Sequence, residues 1–207
     1  DNITANYSSP ATVSSPVEAY PINPQLVDPD SKLGNYAVTI NPGTLSIVAA
    51  SLTVTAEDAQ REYGQENPQF TGQIAGIRNN DNITANYSSP ATVSSPVESY
   101  PINPQLIDPD GKLGNYVVTI NPGTLSIVAA SLTVTADNKT RRVGEPNPQF
   151  TGTIVGFVNG EDLSVLSGAP GFSTPATETS PAGTYPITPS LGTLSSQNYV
   201  FSEPPVD

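Results

Sequence analysis

Few side chains in this 207-residue chain have the types and spacing that could do chemistry. The most polar loop reads "DPDGKLGN", Asp108 to Asn115, and occurs earlier as "DPDSKLGN", Asp28 to Asn35. Asp-x-Asp-Gly resembles the opening of a calcium loop, and Asp108, Asp110 and Asn115 would offer hard oxygen ligands of the kind Ca²⁺ takes. The bidentate glutamate that such a loop needs is missing, and Leu113 interrupts the polar run. A later stretch, "LGTLSSQN" (Leu191 to Asn198), has neither aspartate. A plain Asp/Gly turn with no metal is the preferred reading, and Ca²⁺ is the only cofactor the residues bring to mind.

Glu57–Asp58 and Glu161–Asp162 are adjacent carboxylates, but neighbours on a strand point to opposite faces, so neither pair is placed for acid–base work. There is no His, no Cys, no Gly-x-Ser-x-Gly and no phosphate loop. The chain is therefore expected not to be an enzyme, with no catalytic and no cofactor-binding residues. Lys32, Lys112 and Lys139 all fall in turns, away from the buried Asn and acid that an isopeptide bond requires. In "SPVESY" and "SPAGTY", Tyr100 and Tyr185 could stack on a sugar. The preferred reading is structural: a tyrosine at a strand start whose hydroxyl bonds to backbone, as in the tyrosine corner of Ig-like sandwiches. "ENPQF" and "PNPQF" read as proline-shaped turns that send Phe70 and Phe150 inward.

Composition narrows the partners. Nineteen acids against seven bases give a net charge of −12, which repels nucleic acid and anionic lipid. Arg141–Arg142 is the only adjacent basic pair and reads as solvated. No apolar run approaches the ~18 residues of a membrane helix, so no membrane insertion is expected in this window. The chain has no Met, which leads to the expectation of a fragment or a processed piece. Zero Cys excludes a disulfide scaffold and fits a secreted bacterial surface protein. Twenty-two Pro and 16 Gly, set among Val, Ile, Thr and Tyr, are the vocabulary of short strands and turns.

The elements that position these residues recur. Residues 1–50 match 81–130 at all but four positions: Ala19/Ser99, Val27/Ile107, Ser31/Gly111 and Ala37/Val117. The period is 80 residues, and residues 51–80 match 131–160 more loosely through "SLTVTA" and "NPQFTG". "LSIVAASLTVTA" (Leu125 to Ala136) holds two alternating strand patterns separated by only "AAS". Without turn residues they cannot fold back as a hairpin, so they pass end to end from one unit into the next. Joints are placed near Ala50 and Ala130. Residues 1–50 are then the C-terminal half of a repeat unit, 51–130 a complete unit, and 131–207 a unit lacking its final strand.

Strands are expected at 51–57, 68–76, 82–88, 97–104, 114–121 and 124–129. The fold class is all-β, as tandem Ig-like β-sandwich repeats. The alternative is a β-grasp-like unit with one short helix, for which "EDLSVLSG" (Glu161 to Gly168) could supply a helical turn. Tyr100, Tyr116, Tyr185 and Tyr199 are the expected core anchors.

"SLTVTAEDAQREYGQENPQFTGQIAGI" (Ser51 to Ile77), "SSPVESYPI" (Ser94 to Ile102) and "GNYVVTINPGTLSIV" (Gly114 to Val128) together resemble the MBG-type repeats of the YGX variety, found near bacterial Ig-like domains. The "YG" is Tyr63–Gly64; the third unit departs from it with Val143–Gly144 but keeps "NPQF". The resemblance covers about the whole chain. It implies large extracellular or cell-surface bacterial proteins whose repeats serve as stalk or adhesive modules, and it brings no catalytic residues. The expected function is a non-catalytic structural region of an adhesin-like protein, a stiff spacer whose partners are neighbouring repeats. Two alternatives stand beside it: a self-assembling extracellular fibre subunit completed by strand exchange, and a module that binds a glycan or a host protein.

Overall fold

The computed structural model describes residues 1–202. Short alternating runs broken by Pro and Gly become fifteen strands, and the described residues contain no helix longer than a 3-10 turn. Residues 1–49 supply β1 (Thr4–Ser8), β2 (Ala19–Val27) and β3 (Gly43–Ser46). The middle repeat supplies β4 (Ala50–Ala56), β5 (Ala59–Glu62), β6 (Gly72–Ala75), β7 (Thr84–Ser88), β8 (Ser99–Ile107), β9 (Tyr116–Asn121) and β10 (Gly123–Val128). The third repeat supplies β11 (Ala130–Ala136), β12 (Gly152–Val155), β13 (Gly171–Ser173), β14 (Thr188–Ser190) and β15 (Tyr199–Ser202). The chain is all-β, built as tandem β-sandwich-like repeats of several small sheets.

Two compact units share these strands, and neither coincides with a sequence repeat. The first holds residues 1–56, 71–88 and 103–122; the second holds 57–70, 89–102 and 123 onward. Each unit thus contains one joint.

In the first unit, β2 pairs antiparallel with β1 and with β3. β4 lies between β6, antiparallel, and β9, parallel from Ala50↔Tyr116 to Thr55↔Asn121. β7 forms an antiparallel ribbon with the second half of β8. The layers meet through Leu52, Ile83 and Tyr116, with Ile74, Leu106 and Leu113 packed around them. Alternation explains the partition: along β4, Leu52, Val54 and Ala56 are buried while Ser51 and Thr55 face out.

In the second unit, β10 sits between β5, parallel, and the first half of β8, antiparallel. β11 sits between β12, antiparallel, and β15, parallel. β13 pairs with β14. Leu125, Ile127, Leu132 and Val134 form its deepest layers.

Several strands differ from the expectation. The run 68–76 shortens to Gly72–Ala75, because Asn67 and its neighbours serve the turn that follows β5. β5, "AQRE", was hidden by its charge: Ala59 and Arg61 point inward, and the buried Arg61 is held by hydrogen bonds. "EDLSVLSG" does form one 3-10 turn at Leu163–Val165, in which the Ser164 N–H donates to the Asp162 carboxylate. Two further 3-10 turns, Leu33–Asn35 and Leu113–Asn115, lie inside the loops read as plain turns.

Leu45 and Leu125 have the same neighbours in sequence, yet Leu45 is 40% exposed and Leu125 fully buried. Leu125→Ala is expected to cost about 2–5 kcal/mol, the range for a truncated core leucine. Leu45→Ala is expected to cost under about 1 kcal/mol, as surface substitutions do. Urea unfolding followed by tyrosine fluorescence separates the two.

Candidate functional site

Residues brought together from distant sequence cluster at the joint inside the second unit. β10 and β11 run on with one residue, Ala129, between them. The Ala130 N–H donates to the Asn198 carbonyl at 3.0 Å, and the Val97 N–H to Asn198 Oδ1 at 3.0 Å. One asparagine thus ties the incoming chain and the preceding repeat to the strand β15.

A phenol–carboxylate–phenol bridge closes the same joint. Tyr63, at the turn after β5, donates to Glu161 Oε1 at 2.6 Å, and Tyr199 donates to Glu161 Oε2 at 2.5 Å. Both rings are buried and meet edge to face at 5.6 Å, with Phe157 edge-on to Tyr199 at 5.7 Å. The Tyr199 hydroxyl also accepts the Val158 N–H at 3.1 Å. Phenol donors to a carboxylate are charge-assisted and short. Burial first, and then the hydrogen bond to Glu161, pushes Tyr199 up to about 12 and raises Tyr63 as well.

Gly64 completes the contact. Its φ of +82° is left-handed, and a methyl group there would collide with the Val158 side chain. Both the backbone and the neighbouring repeat require glycine.

The joint in the first unit repeats half of this arrangement. The Val17 N–H donates to Asn115 Oδ1 at 3.0 Å, as Val97 does to Asn198. Tyr116 donates to Asp81 Oδ2 at 2.6 Å and accepts the Arg78 N–H at 2.9 Å. Asp81 and Arg78 stand 80 residues before Glu161 and Val158. Burial and the Asp81 hydrogen bond raise Tyr116 too. Asp81 receives one phenol, Tyr116, where Glu161 receives two. At the other end Val143–Gly144 replaces Tyr63–Gly64: Val143 is exposed, and Gly144 has open space about its Cα.

The sequence candidates fall elsewhere. Asp108 accepts the Lys112 and Leu113 N–H groups, one on each oxygen, at 2.8 Å, and Asp28 does the same for Lys32 and Leu33. Those backbone bonds hold both carboxyls below their ordinary value, Leu113 leading for Asp108 and Lys32 for Asp28. Asn115 Oδ1 is engaged by Val17, and Asp110 is exposed. A calcium ion on Asp108, Asp110 and Asn115 would have to share oxygens that already accept backbone N–H groups. Glu57 and Asp58 separate: Asp58 accepts the Thr124 N–H at 2.7 Å. Tyr100 and Tyr185 are half-buried, and their hydroxyls donate to the Pro96 and Pro181 carbonyls, four residues upstream in each case. Tyr116 and Tyr199 are buried anchors as the sequence suggested. Tyr63 and Glu161 were missed as a pair. The available signal was an acid kept at the same offset, Asp81 and Glu161, after a turn that otherwise changes.

The MBG domain, YGX type, matches twice, over residues 52–126 and 132–205. The chain belongs to the MBG family. No curated protein and no solved structure matches it. MBG repeats are extracellular-type, non-catalytic structural modules. The "YG" of the type is, in this chain, the Tyr63–Gly64 turn that meets the next MBG repeat through Glu161 and Val158.

Tyr63→Phe is expected to lower the stability of the second unit by about 1.5 kcal/mol, the loss of a hydrogen bond to a charged group. A double-mutant cycle with Glu161→Gln should show coupling, because the two share one bond. Alkaline titration gives a second check. The folded tyrosines titrate above their unfolded value near 10, so between pH 10 and about 12 the folded state holds protons that the unfolded state has lost. Stability is expected to be level below pH 10 and to fall through that window, with the Tyr63→Phe variant falling less steeply in thermal melts.

Proposed function

We propose that this MBG chain is a stiff, non-catalytic spacer in a secreted or cell-surface bacterial adhesin-like protein. The observation that carries the reading is the joint. Flexible linkers between domains are Gly/Ser-rich and leave backbone free. Here a single alanine separates β10 from β11, and Asn198, Tyr63, Glu161 and Tyr199 tie the flanking repeats together on both sides of it. Rotation of one repeat against the next would break a buried charge-assisted bridge. The partners of the spacer are therefore its own neighbouring repeats, and a net charge of −12 disfavours self-association through their faces.

Small-angle X-ray scattering of the 207-residue chain tests this. A compact globule of this length has a radius of gyration of about 17 Å. The spacer reading expects a clearly larger value, independent of concentration, and a broader distribution of maximum dimensions in the Tyr63→Ala, Glu161→Ala double variant. A radius near the globular value, or growth with concentration, would sink it.

A further inference from the structure

Two segments that the spacer reading leaves unused share one spelling. Asn82-Ile83-Thr84-Ala85-Asn86-Tyr87-Ser88 runs into and along β7, and Asn2-Ile3-Thr4-Ala5-Asn6-Tyr7-Ser8 does the same at β1. Each segment holds two consecutive Asn-x-Ser/Thr triplets, in which a hydroxyl follows an asparagine amide by two residues. That is the spelling at which sugar is attached to asparagine nitrogen in secreted proteins. The triplet by itself is common, and the fold decides whether its amide and hydroxyl can be reached.

In the middle repeat these side chains alternate in and out. Ile83 is buried, and the Tyr87 ring lies against Gly72, where a methyl group would collide with it. Asn82, Thr84, Asn86 and Ser88 are all exposed. In extended chain, residues two apart share a face at a spacing of about 7 Å, so each amide stands beside its hydroxyl. None of these four side chains makes a hydrogen bond or ion pair among the described residues. Asn67, Asn115, Asn147 and Asn198 differ, since their amides hold turns and joints together. Across the ribbon, β8 sets Ile107 opposite Thr84, Gln105 opposite Asn86 and Asn103 opposite Ser88, so the face carries no charge. β7 is also the last strand of its sheet. It has no charged residue and no Pro, the devices by which open edges usually resist pairing. A bulky polar group on Asn82 and Asn86 would serve in their place.

We propose that Asn82 and Asn86 are N-glycosylation sites, and with them Asn2 and Asn6 of the earlier copy. The co-substrate is a sugar activated as a glycosyl diphosphate, carried on a nucleoside or on a lipid. Asparagine Nδ2 attacks the anomeric carbon, and the bond from that carbon to the diphosphate oxygen breaks. The diphosphate leaves with the electron pair, and the amide proton passes to a base on the transferase. Asn138-Lys139-Thr140 has the same spelling, but Asn138 stands at the position of Asp58, which the Thr124 N–H engages in the middle repeat, so it is not included. The proposal rests on the extracellular type of MBG repeats and not on the spacer reading, because the joints hold with or without sugar.

The test is peptide mapping, by electron-transfer mass spectrometry, of the protein recovered from the bacterium that makes it. Sugar is expected on Asn82 and Asn86, with none on Asn115 or Asn198. A single sugar at each site would mark the nucleoside-linked donor, and a preassembled oligosaccharide the lipid-linked one. Thr84→Ala, expressed in the same bacterium, is expected to strip the sugar from Asn82 and leave that on Asn86. Bare asparagines, sugar confined to the Ser and Thr hydroxyls of 88–95, or a Thr84→Ala variant that keeps both sugars or loses both would overturn the proposal. Without sugar, the Asn82→Gln, Asn86→Gln chain is expected to melt at the same temperature as the original. A clear drop would give these asparagines a structural role instead. Scattering of the unglycosylated chain tests the spacer reading separately, so either reading can fail alone.

Discussion

The middle and third repeats are each closed by a parallel pairing between the first strand and one that arrives most of a repeat later. β4 pairs with β9, with Ala50 opposite Tyr116, and β11 pairs with β15, with Ala130 opposite Tyr199. Parallel partners need a long crossover, so this contact closes a long loop. The molecule contains its own control. Residues 36–41, "YAVTIN", differ from 116–121, "YVVTIN", at one position, yet the first set is not a strand and the second is β9. β9 is paired along its whole length with β4, whereas 36–41 are paired with no strand among the described residues. Strand structure here is conferred by the partner and not by propensity.

The same pairing positions the joint. Tyr116 and Tyr199 are the first residues of β9 and β15, so closing a repeat brings a phenol to the boundary, beside Asp81 or Glu161. The MBG signature Tyr63–Gly64 then reaches in from the preceding repeat. One closure therefore sets both the core of a repeat and the surface that its predecessor meets. This explains why the compact units are centred on joints while the letters repeat in another phase.

Much of this was legible. The period, the all-β class and the anchors Tyr116 and Tyr199 all follow from alternation and turn residues. What stayed hidden has physical reasons. β5 carries an arginine on its inward face, and a charge is buried only when long-range carbonyls are there to receive it. Glu161 looked like one of two solvated acids, since its two phenol partners lie 98 and 38 residues away. Asp108 looked like half a calcium loop because a carboxylate that caps nearby N–H groups has the same local spelling as one that binds a cation.

The parallel closure also sets how a repeat meets tension. Pulling on a chain draws the N-terminal end of β4 and the C-terminal end of β9 in opposite directions along one shared axis. The ladder from Ala50↔Tyr116 to Thr55↔Asn121 is then loaded in shear, and its rungs must yield together instead of peeling one at a time. An antiparallel hairpin pulled from its open end would unzip rung by rung. The same parallel ladder that closes a repeat therefore places its two ends so that a pull along the strands loads every rung at once.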